Sequence, residues 1–506
     1  MTSPSEGSRE DVQRRPARRN RGVGDAYDVP SRTDPVVAKA SAVLGGPVGR
    51  YAVIGGRGLA GVTAAVTCLG AAAIALGVVQ KGHCVLKGWY SPDQFWRACY
   101  SDITVVNVSS DLANRSLPYL GDDPSDQPLL SGLAMWVIAL VSPRSGGDVA
   151  AQQWVFGIWA VLAVLLLAAG VLAVVALRPT RPWQAAHLAA SPVVAVLALI
   201  STDLLGVVLV LYAVLAWERR HPATAGVLLG LAFLLRPYPL VFLVAIALVA
   251  RRQDRLPEAA RTVVAALVAG VVVYLPFVLV VPDGVLAAPR AWVDSGAGYG
   301  ALTLVPQLLG RGLIAAATTW IALGGWALAA LLGWLLTRPG RGTGDLVAVA
   351  APMTLVVMLT AQSVSVQTGL WLLPLLALSA LPWRDHLIWA AAEIVHFEAV
   401  WLHIGFDSDP GRGLPGDAYS VTILLRVTAW GWVLWRVWDT SAPPQGDLTR
   451  KEPTQLLPQS RRQAPDGRRA RRQEGLGGGA HGTTRHLPLV RPAPRSSCAR
   501  ASSARE

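Results

Sequence analysis

The sequence predicts an all-α integral membrane protein, and three features of the chain support this prediction. The 506 residues are 53% hydrophobic and only 15% charged, with a mean hydropathy of +0.42, which is more apolar surface than one soluble domain can bury. Apolar runs long enough to cross a bilayer recur along the chain. The arginines lie mostly in the two tails and in short loops between these runs, as the positive-inside rule describes. This rule also explains the formal net charge of +13, so we expect no nucleic-acid partner.

The chain divides into a membrane domain and two polar tails. Residues 1–55 are rich in Arg, Ser, Pro and Gly and show no apolar periodicity, so we predict a disordered basic cytoplasmic tail. Residues 439–506 have a similar composition and receive the same prediction. The polytopic membrane domain covers residues 56–438, and its first apolar run begins too far from the start of the chain to be a signal peptide.

About twelve membrane-spanning helices account for the apolar runs. The run from Leu129 to Val141 is short for a full crossing and is predicted to be interfacial or re-entrant. With that run left out, the basic loops fall on one side of the membrane, which is then the cytoplasm, and both termini lie there. The spans are predicted at about 59–79, 154–177, 185–200, 202–217, 223–236, 238–250, 262–281, 313–336, 346–361, 369–382, 387–403 and 418–437. The arginines that determine this topology are Arg178, Arg181, Arg219, Arg220, Arg251, Arg252, Arg255, Arg261, Arg338, Arg341 and Arg384.

This topology places a large polar loop, residues 81–128, on the extracytoplasmic face. Its aromatic side chains are typical of interfacial helices at a membrane surface, and they are Trp89, Tyr90, Phe95, Trp96 and Tyr100. Cys84 and Cys99 also lie in this loop, and an extracytoplasmic location permits a disulfide between them. From the sequence, a disulfide and two free thiols are both open.

Asp102 is the lead candidate for a chemical role in the loop. A carboxylate among aromatic side chains can have its pKa raised and can act as a general base on a bound hydroxyl group. The alternative is that the aromatics form an interfacial belt and that Asp102 caps a short helix. The residues alone leave both interpretations open.

Two more charged residues lie at predicted turns on the same face. Asp203 stands between two apolar runs, where an N-cap of the following span is the simplest interpretation. Arg236 lies between two half-spans that end at prolines. Non-helical backbone at membrane depth persists where it lines a cavity, so Arg236 could bind a phosphate group. The alternative is an arginine whose side chain extends to the lipid headgroups.

One late span carries a pair of ionisable residues. Glu393 and His396 are three residues apart and therefore share a helix face. The pair fits either a proton relay or catalytic role, or an internal hydrogen-bonded pair that stabilises the fold. The spacing identifies no third ligand for a metal ion, and the chain has no phosphate-binding glycine loop, Cys-x-x-Cys motif or nucleophile elbow. We expect no metal and no cofactor.

A series of short motifs follows through the membrane domain. In order, they are Cys99-Tyr100-Ser101-Asp102-Ile103, Ser201-Thr202-Asp203-Leu204-Leu205, Arg236-Pro237-Tyr238-Pro239, Gly298-Tyr299-Gly300, Ser365-Val366-Gln367, Leu370-Trp371-Leu372-Leu373-Pro374-Leu375, Trp383-Arg384-Asp385 and Gly413-Leu414-Pro415. Together they resemble glycosyltransferase family 87 as it occurs in actinobacteria. This family consists of integral-membrane enzymes of the GT-C type that use polyprenyl-phosphate-mannose. The resemblance covers about residues 60 to 437.

The resemblance implies a GT-C-like fold and an inverting α-mannosyltransferase on the extracytoplasmic face of the cell membrane. Asp102 would be the catalytic base. Contacts to the donor phosphate and the substrate would come from Arg236, Tyr238, Asp203, Tyr100 and Gln367, with Glu393 and His396 as secondary candidates. The implied partners are a polyprenyl-phosphate-sugar donor, a lipid or glycan acceptor, and membrane lipids.

The chain also departs from the family pattern. Ser201-Thr202 stands where the family has Asn-Trp, Gln362 and Arg236 each replace a lysine, and Val366 replaces a proline. A catalytically inactive paralogue is therefore one alternative. The other alternative is a polytopic transporter of a small or lipid-linked solute, which would also be a helical bundle with broken helices and buried charges.

Overall fold

The computed structural model describes residues 28–49, 58–110, 112–120, 125–143, 148–294, 296–339, 343–379 and 381–441. The regular secondary structure of these residues is entirely helical, with no β-strand in the described ranges, as the predicted all-α class requires. Residues 1–27 and 442–506 lie outside the described residues, so the predicted disorder of those parts of the two tails stays a prediction.

The first half of the described chain contains thirteen α-helices. They are α1 (Pro30–Thr33), α2 (Pro35–Gly49), α3 (Gly58–Gln80), α4 (Gly82–Lys87), α5 (Asp93–Trp96), α6 (Asp102–Ser109), α7 (Leu129–Val141), α8 (Val149–Leu177), α9 (Ala185–Ala189), α10 (Pro192–Leu197), α11 (Asp203–Glu218), α12 (Pro222–Phe233) and α13 (Pro239–Arg252).

The second half adds eight α-helices and includes the 3₁₀ helix Val366–Trp371. The α-helices are α14 (Leu256–Val280), α15 (Pro282–Asp294), α16 (Val305–Leu308), α17 (Ala315–Leu336), α18 (Leu346–Thr360), α19 (Leu373–Leu378), α20 (Trp383–Phe406) and α21 (Gly416–Ser441).

Five of the described helices are long and apolar enough to cross a membrane, namely α3, α8, α14, α17 and α20. Helix α14 shows most directly that the surroundings must be apolar, because only 6% of its most hydrophobic window is buried. Side chains such as Val272 and Leu279 are 65% and 73% exposed. In water, apolar surface of this kind costs roughly 25 cal/mol per Å², whereas in a bilayer it does not. The protein is therefore an α-helical membrane protein.

The other predicted spans are not confirmed as crossings. Those at 202–217, 223–236, 238–250 and 346–361 correspond to α11, α12, α13 and α18, which have 12 to 16 residues each. The spans at 185–200 and 369–382 are divided into short helices, partly because Pro192 and Pro374 lie in the first turns of new helices. The last span lies in α21, which has 26 residues. The short run Leu129–Val141 forms one helix of 13 residues, α7.

The N-terminal segment differs from the sequence prediction, because the predicted disordered tail contains the two helices α1 and α2. Asp34 accounts for part of this order. One of its carboxylate oxygens accepts hydrogen bonds from the backbone amides of Val36 and Val37 at the start of α2. The other accepts from the amide of Trp383, at 2.8 Å, at the start of α20. A contact between segments about 350 residues apart leaves no local signal in composition.

The buried core is formed largely by helices that are apolar on every side. In α18, 12 of the 15 residues are buried, and all six residues of α19 are buried. Three chain breaks meet beside this core, at residues 198–202 before α11, 234–238 before α13, and 361–372 before α19. The 3₁₀ helix of the third break packs against α10 and α11. The loop that follows α3 lies against these three breaks. We call this region the Asp102 end.

Candidate active site

A disulfide closes the loop that leads to Asp102. Cys84, in α4, is bonded to Cys99, and their Cα atoms are 5.9 Å apart. Both cysteines are completely buried, and the indole nitrogen of Trp89 donates a hydrogen bond to the Cys99 carbonyl at 2.8 Å. The sequence left the disulfide and two free thiols open, and the structure contains the disulfide. The bond fixes the chain three residues before Asp102.

The backbone at Ser101 determines where the next side chains point. Ser101 is extended, with φ −149° and ψ 123°, so its neighbours Tyr100 and Asp102 lie on one side of the chain and its own side chain on the other. The Ser101 hydroxyl donates to the carbonyl of Leu199, at 2.7 Å, in the turn before α11. Asp102 is the first residue of α6, and Ser101 occupies the cap position. Asp102 is thus not the N-cap that the alternative sequence interpretation proposed.

The Asp102 carboxyl group is half-buried and surrounded by polar groups from four other parts of the chain. Burial raises its pKa from the ordinary value of 3.8 to about 6, against the lowering effects of a hydrogen bond from Tyr100 and of the Arg236 charge. Asp203 and Asp126 also raise the pKa of Asp102. The amide nitrogen of Gln367 lies 3.5 Å from an oxygen of Asp102. A carboxylate with this pKa can accept a proton near neutral pH.

Asp203 and Arg236 form a bidentate ion pair beside Asp102. The Nε and Nη2 atoms of Arg236 donate to the two Asp203 oxygens at 3.0 and 3.1 Å. Asp203 also accepts from the Trp371 indole at 2.7 Å and from the Ser201 hydroxyl at 2.5 Å. The predicted N-cap role of Asp203 is therefore wrong, because its carboxylate binds side chains and not the amides of α11. Thr202 is the cap residue, without a side-chain cap bond.

A glycine lets the Trp371 indole approach Asp203. Gly206 lies in the first turn of α11, and a Cβ atom at this position would be 2.6 Å from Cη2 of Trp371. Any larger residue would displace the indole ring, since such a distance is below van der Waals contact. Gly206 therefore allows the 3₁₀ helix to pack closely on α11.

Arg236 keeps part of its guanidinium group accessible. Its side chain is 24% exposed, whereas that of Asp203 is 3% exposed. Nη1 of Arg236 makes no hydrogen bond to another residue in the described part of the chain. Arg236 thus does not simply extend to lipid headgroups, as one sequence interpretation proposed. It is largely neutralised by Asp203 but retains donors that could face a ligand.

Tyr238 and Gln367 complete the group of predicted site residues. Tyr238 is 6% exposed, and its ring centroid lies 5.6 Å from that of Trp371. Its hydroxyl lies near the side chain of Thr368, the residue that follows Gln367. The structure therefore brings together Tyr100, Asp102, Asp203, Arg236, Tyr238 and Gln367 at the Asp102 end.

Glu393 and His396 belong to a different buried cluster. They do not bond to each other. Glu393 pairs with Arg426 at 2.9 Å, and both side chains are at most 1% exposed. Arg426 in turn donates to the Val364 carbonyl at 2.9 Å, just before the 3₁₀ helix that carries Gln367. His396 contacts the Tyr419 hydroxyl at 3.3 Å. The Glu393–Arg426 pair therefore stabilises the backbone that leads into the 3₁₀ helix. The catalytic role of Glu393 and His396 stays a prediction.

Several residues at the Asp102 end were not proposed as site residues from the sequence. Lys81 is completely buried and donates from Nζ to the Tyr100 carbonyl at 2.9 Å. Asp126 is exposed and acts electrostatically on Asp102. Trp371 and Ser201 hold Asp203. Lys81 had one usable signal, its position directly after the first apolar run, whereas the others depend on contacts between distant segments.

The described residues contain no group of three or more His, Cys, Asp or Glu side chains that could hold a metal ion. The predicted absence of a metal and of a cofactor stays a prediction. No protein-family model matches this chain, and no curated protein is significantly similar to it.

Proposed function

We propose that this protein is a membrane glycosyltransferase that uses a polyprenyl-phosphate-linked hexose as donor. The observation that carries the proposal is the half-buried Asp102 carboxyl group, whose raised pKa of about 6 suits a general base. It lies outside the long apolar helices and beside an arginine that can meet a phosphate. The acceptor would be a lipid or a glycan with a free hydroxyl group.

The reaction would be an inverting substitution. Asp102 takes the proton of the acceptor hydroxyl group as its oxygen attacks the anomeric carbon. A new carbon–oxygen bond forms on one face of the sugar while the bond to the phosphate oxygen breaks on the other. The electron pair of the broken bond leaves with polyprenyl phosphate. The proton remains on Asp102 until it passes to solvent, so the step requires no redox partner.

Arg236 would stabilise the charge of the leaving phosphate group. Charged donors placed where negative charge develops lower the barrier most when they are held rigidly. The bidentate contact with Asp203 supplies this rigidity, and Nη1 is left for the ligand. Asp203 also offsets much of the arginine charge, so phosphate binding would depend on further donors. Gln367, Tyr238 and Tyr100 are the candidates in reach.

Two observations support an extracytoplasmic location for this site. The Cys84–Cys99 disulfide is typical of an oxidising compartment. The chain breaks that build the site lie at helix ends opposite to Arg219, Arg220, Arg251 and Arg252, which favours a cytoplasmic location for those arginines. We therefore propose a multi-pass protein of the cell membrane with both termini in the cytoplasm. Mannose as the sugar, and membership of glycosyltransferase family 87, rest on the motif resemblance alone.

The test is sugar transfer in membranes that contain the full chain. Membranes are supplied with radiolabelled polyprenyl-phosphate-mannose, and label is followed into lipid and glycan products. Asp102→Asn is expected to reduce transfer at least about 10²-fold, which is the usual contribution of a general base. Asp283→Asn is the matched control, because the Asp283 side chain is 89% exposed and lies outside the site. Transfer by the Asp102 variant at the wild-type rate would falsify the assignment.

A further inference from the structure

Lys81 is a buried cation for which the proposed reaction has no role. It follows the last residue of α3 directly, and none of its surface is exposed. Its ammonium group donates to the Tyr100 carbonyl at 2.9 Å and lies 5.6 Å from the centre of the Phe397 ring. Burying an ammonium group costs several kcal/mol even after relaxation. The cost of burying the Lys81 ammonium group must therefore be offset by favourable interactions inside the protein.

The Lys81 hydrogen bond acts on the backbone that presents Asp102. Tyr100 and Asp102 lie on one side of the extended residue Ser101. Lys81 holds the carbonyl of Tyr100, while the Ser101 hydroxyl holds the turn at Leu199. The segment is thus fixed on two successive residues immediately before Asp102. Loss of either anchor would let the carboxyl group move relative to Arg236 and Gln367.

The charges that face Lys81 come from two elements. Asp102 at the start of α6 and Glu398 on α20 both favour the ammonium form, and Phe397 on α20 offers its ring. Burial acts in the opposite direction and is the larger effect, so the pKa of Lys81 falls from 10.5 to about 7. The ammonium form is therefore present below about pH 7 and is lost as the pH rises through that value.

We propose that Lys81 is a positioning residue for Asp102, which fixes the Tyr100–Asp102 backbone and supplies positive charge near the carboxylate. This inference rests on the proposed role of Asp102 as general base. Lys81 acts through the Tyr100 carbonyl and through its charge, and it need not touch the substrate. Its removal would both loosen the segment and raise the pH at which Asp102 loses its proton.

The test uses Lys81→Met, which removes the donor and the charge, and Lys81→Gln, which keeps an N–H donor without charge. Lys87→Met is the matched control, because Lys87 lies in the same loop and is exposed. The first measurement is hydrogen–deuterium exchange of the full chain in lipid nanodiscs. Lys81→Met is expected to speed exchange at residues 98–106 by about tenfold or more, while the long helices keep wild-type protection.

The second measurement is the pH dependence of sugar transfer. Wild-type transfer is expected to rise with pH as Asp102 ionises, with a midpoint near the Asp102 pKa of about 6. In Lys81→Gln the rise moves to higher pH and transfer at pH 6 drops by about tenfold, because no ammonium group favours the carboxylate. Lys87→Met should keep the wild-type profile.

The outcomes separate this inference from the proposed function. Wild-type exchange at residues 98–106 in both Lys81 variants, or a uniform loss of protection along the chain, overturns the positioning role. An unchanged pH profile in Lys81→Gln overturns the electrostatic role. If the wild-type protein transfers no sugar while Asp102 and Lys81 variants alter exchange locally, the proposed function fails and the anchoring of the segment by Lys81 stands.

Discussion

Replacing Asp102 by asparagine should reduce sugar transfer at least about 10²-fold and stabilise the protein at neutral pH. The carboxyl group has a pKa of about 6 in the fold and an ordinary value of 3.8. The folded protein therefore binds the proton more tightly than the unfolded chain does. The resulting contribution to stability is complete below pH 3.8 and is lost as the pH rises through about 6. Asparagine resembles the protonated acid but does not ionise.

The size of the effect follows from the difference of about two pH units between the values of 3.8 and about 6. At 1.4 kcal/mol per unit, the raised pKa lowers the free energy of unfolding, relative to its value at low pH, by about 3 kcal/mol at pH 8 and by roughly half of that at pH 5. The stability of the Asp102→Asn variant relative to the wild type should therefore be roughly 1 to 2 kcal/mol greater at pH 8 than at pH 5.

The assay is reversible unfolding in bicelles by titration with a denaturing detergent, at pH 5 and at pH 8, for the wild type, Asp102→Asn and Asp283→Asn. Asp283→Asn is the control, because the Asp283 side chain is 89% exposed and lies outside the site. The reasoning is refuted if Asp102→Asn has the same stability relative to the wild type at both pH values. It is also refuted if the variant is destabilised more at pH 8 than at pH 5, since ionised Asp102 would then stabilise the fold.

Three further predictions concern the contacts that hold the site. Arg236→Gln leaves Asp203 buried without its cation and should lower the free energy of unfolding by about 3–5 kcal/mol. The double variant, Arg236→Gln with Asp203→Asn, should recover most of the stability but no sugar transfer. Unfolding and transfer assays on both variants check this prediction. Reducing the Cys84–Cys99 disulfide, which spans a sequence separation of 15, should cost about 3 kcal/mol in unfolding measurements with and without reductant. Arg426→Met, which leaves a fully buried carboxylate unpaired, should cost about 3–5 kcal/mol in the same unfolding assay.

Each of these predictions has a result that contradicts it. Transfer by the double variant at the wild-type rate would remove Arg236 from the proposed mechanism. The stability of a protein carrying Cys84→Ser and Cys99→Ser should not change when reductant is added. If reductant destabilises this variant as much as it destabilises the wild type, the disulfide is not the cause of the wild-type loss. Wild-type stability of Arg426→Met would show that the buried ion pair contributes nothing to the fold.

The long helices were predictable from the sequence because hydrophobic length is a local property. The predicted spans at about 59–79, 154–177, 262–281, 313–336 and 387–403 correspond to α3, α8, α14, α17 and α20. The short run Leu129–Val141 forms a helix with the same bounds, α7. By contrast, the run at about 369–382 gives no continuous helix, because the chain there adopts a 3₁₀ helix before α19 begins at Leu373. Buried helix breaks of this kind depend on partners elsewhere in the chain.

The candidate site shows the same division. Asp102 stood out because an acidic residue in an aromatic loop beside an apolar run is rare and expensive. Its partners did not stand out in the same way. Asp203 and Arg236 are 33 residues apart, as are Glu393 and Arg426, and both pairs form only when separate segments of the chain pack together. Asp203 illustrates the error, since its position before an apolar run suggested a helix cap while its carboxylate binds Arg236 and Trp371.

The sequence by itself determined the all-α membrane class, the long apolar helices and the loop in which the carboxyl group lies, since each depends on composition and hydrophobicity along a short stretch of chain. Tertiary structure alone decided which groups meet Asp102. Lys81 reaches the Tyr100 carbonyl, Ser101 reaches Leu199, and Gln367 reaches Asp102 across a separation of 265 residues. The pKa of Asp102 is set by burial and by these distant charges, and a low-dielectric environment exists only after the chain has packed.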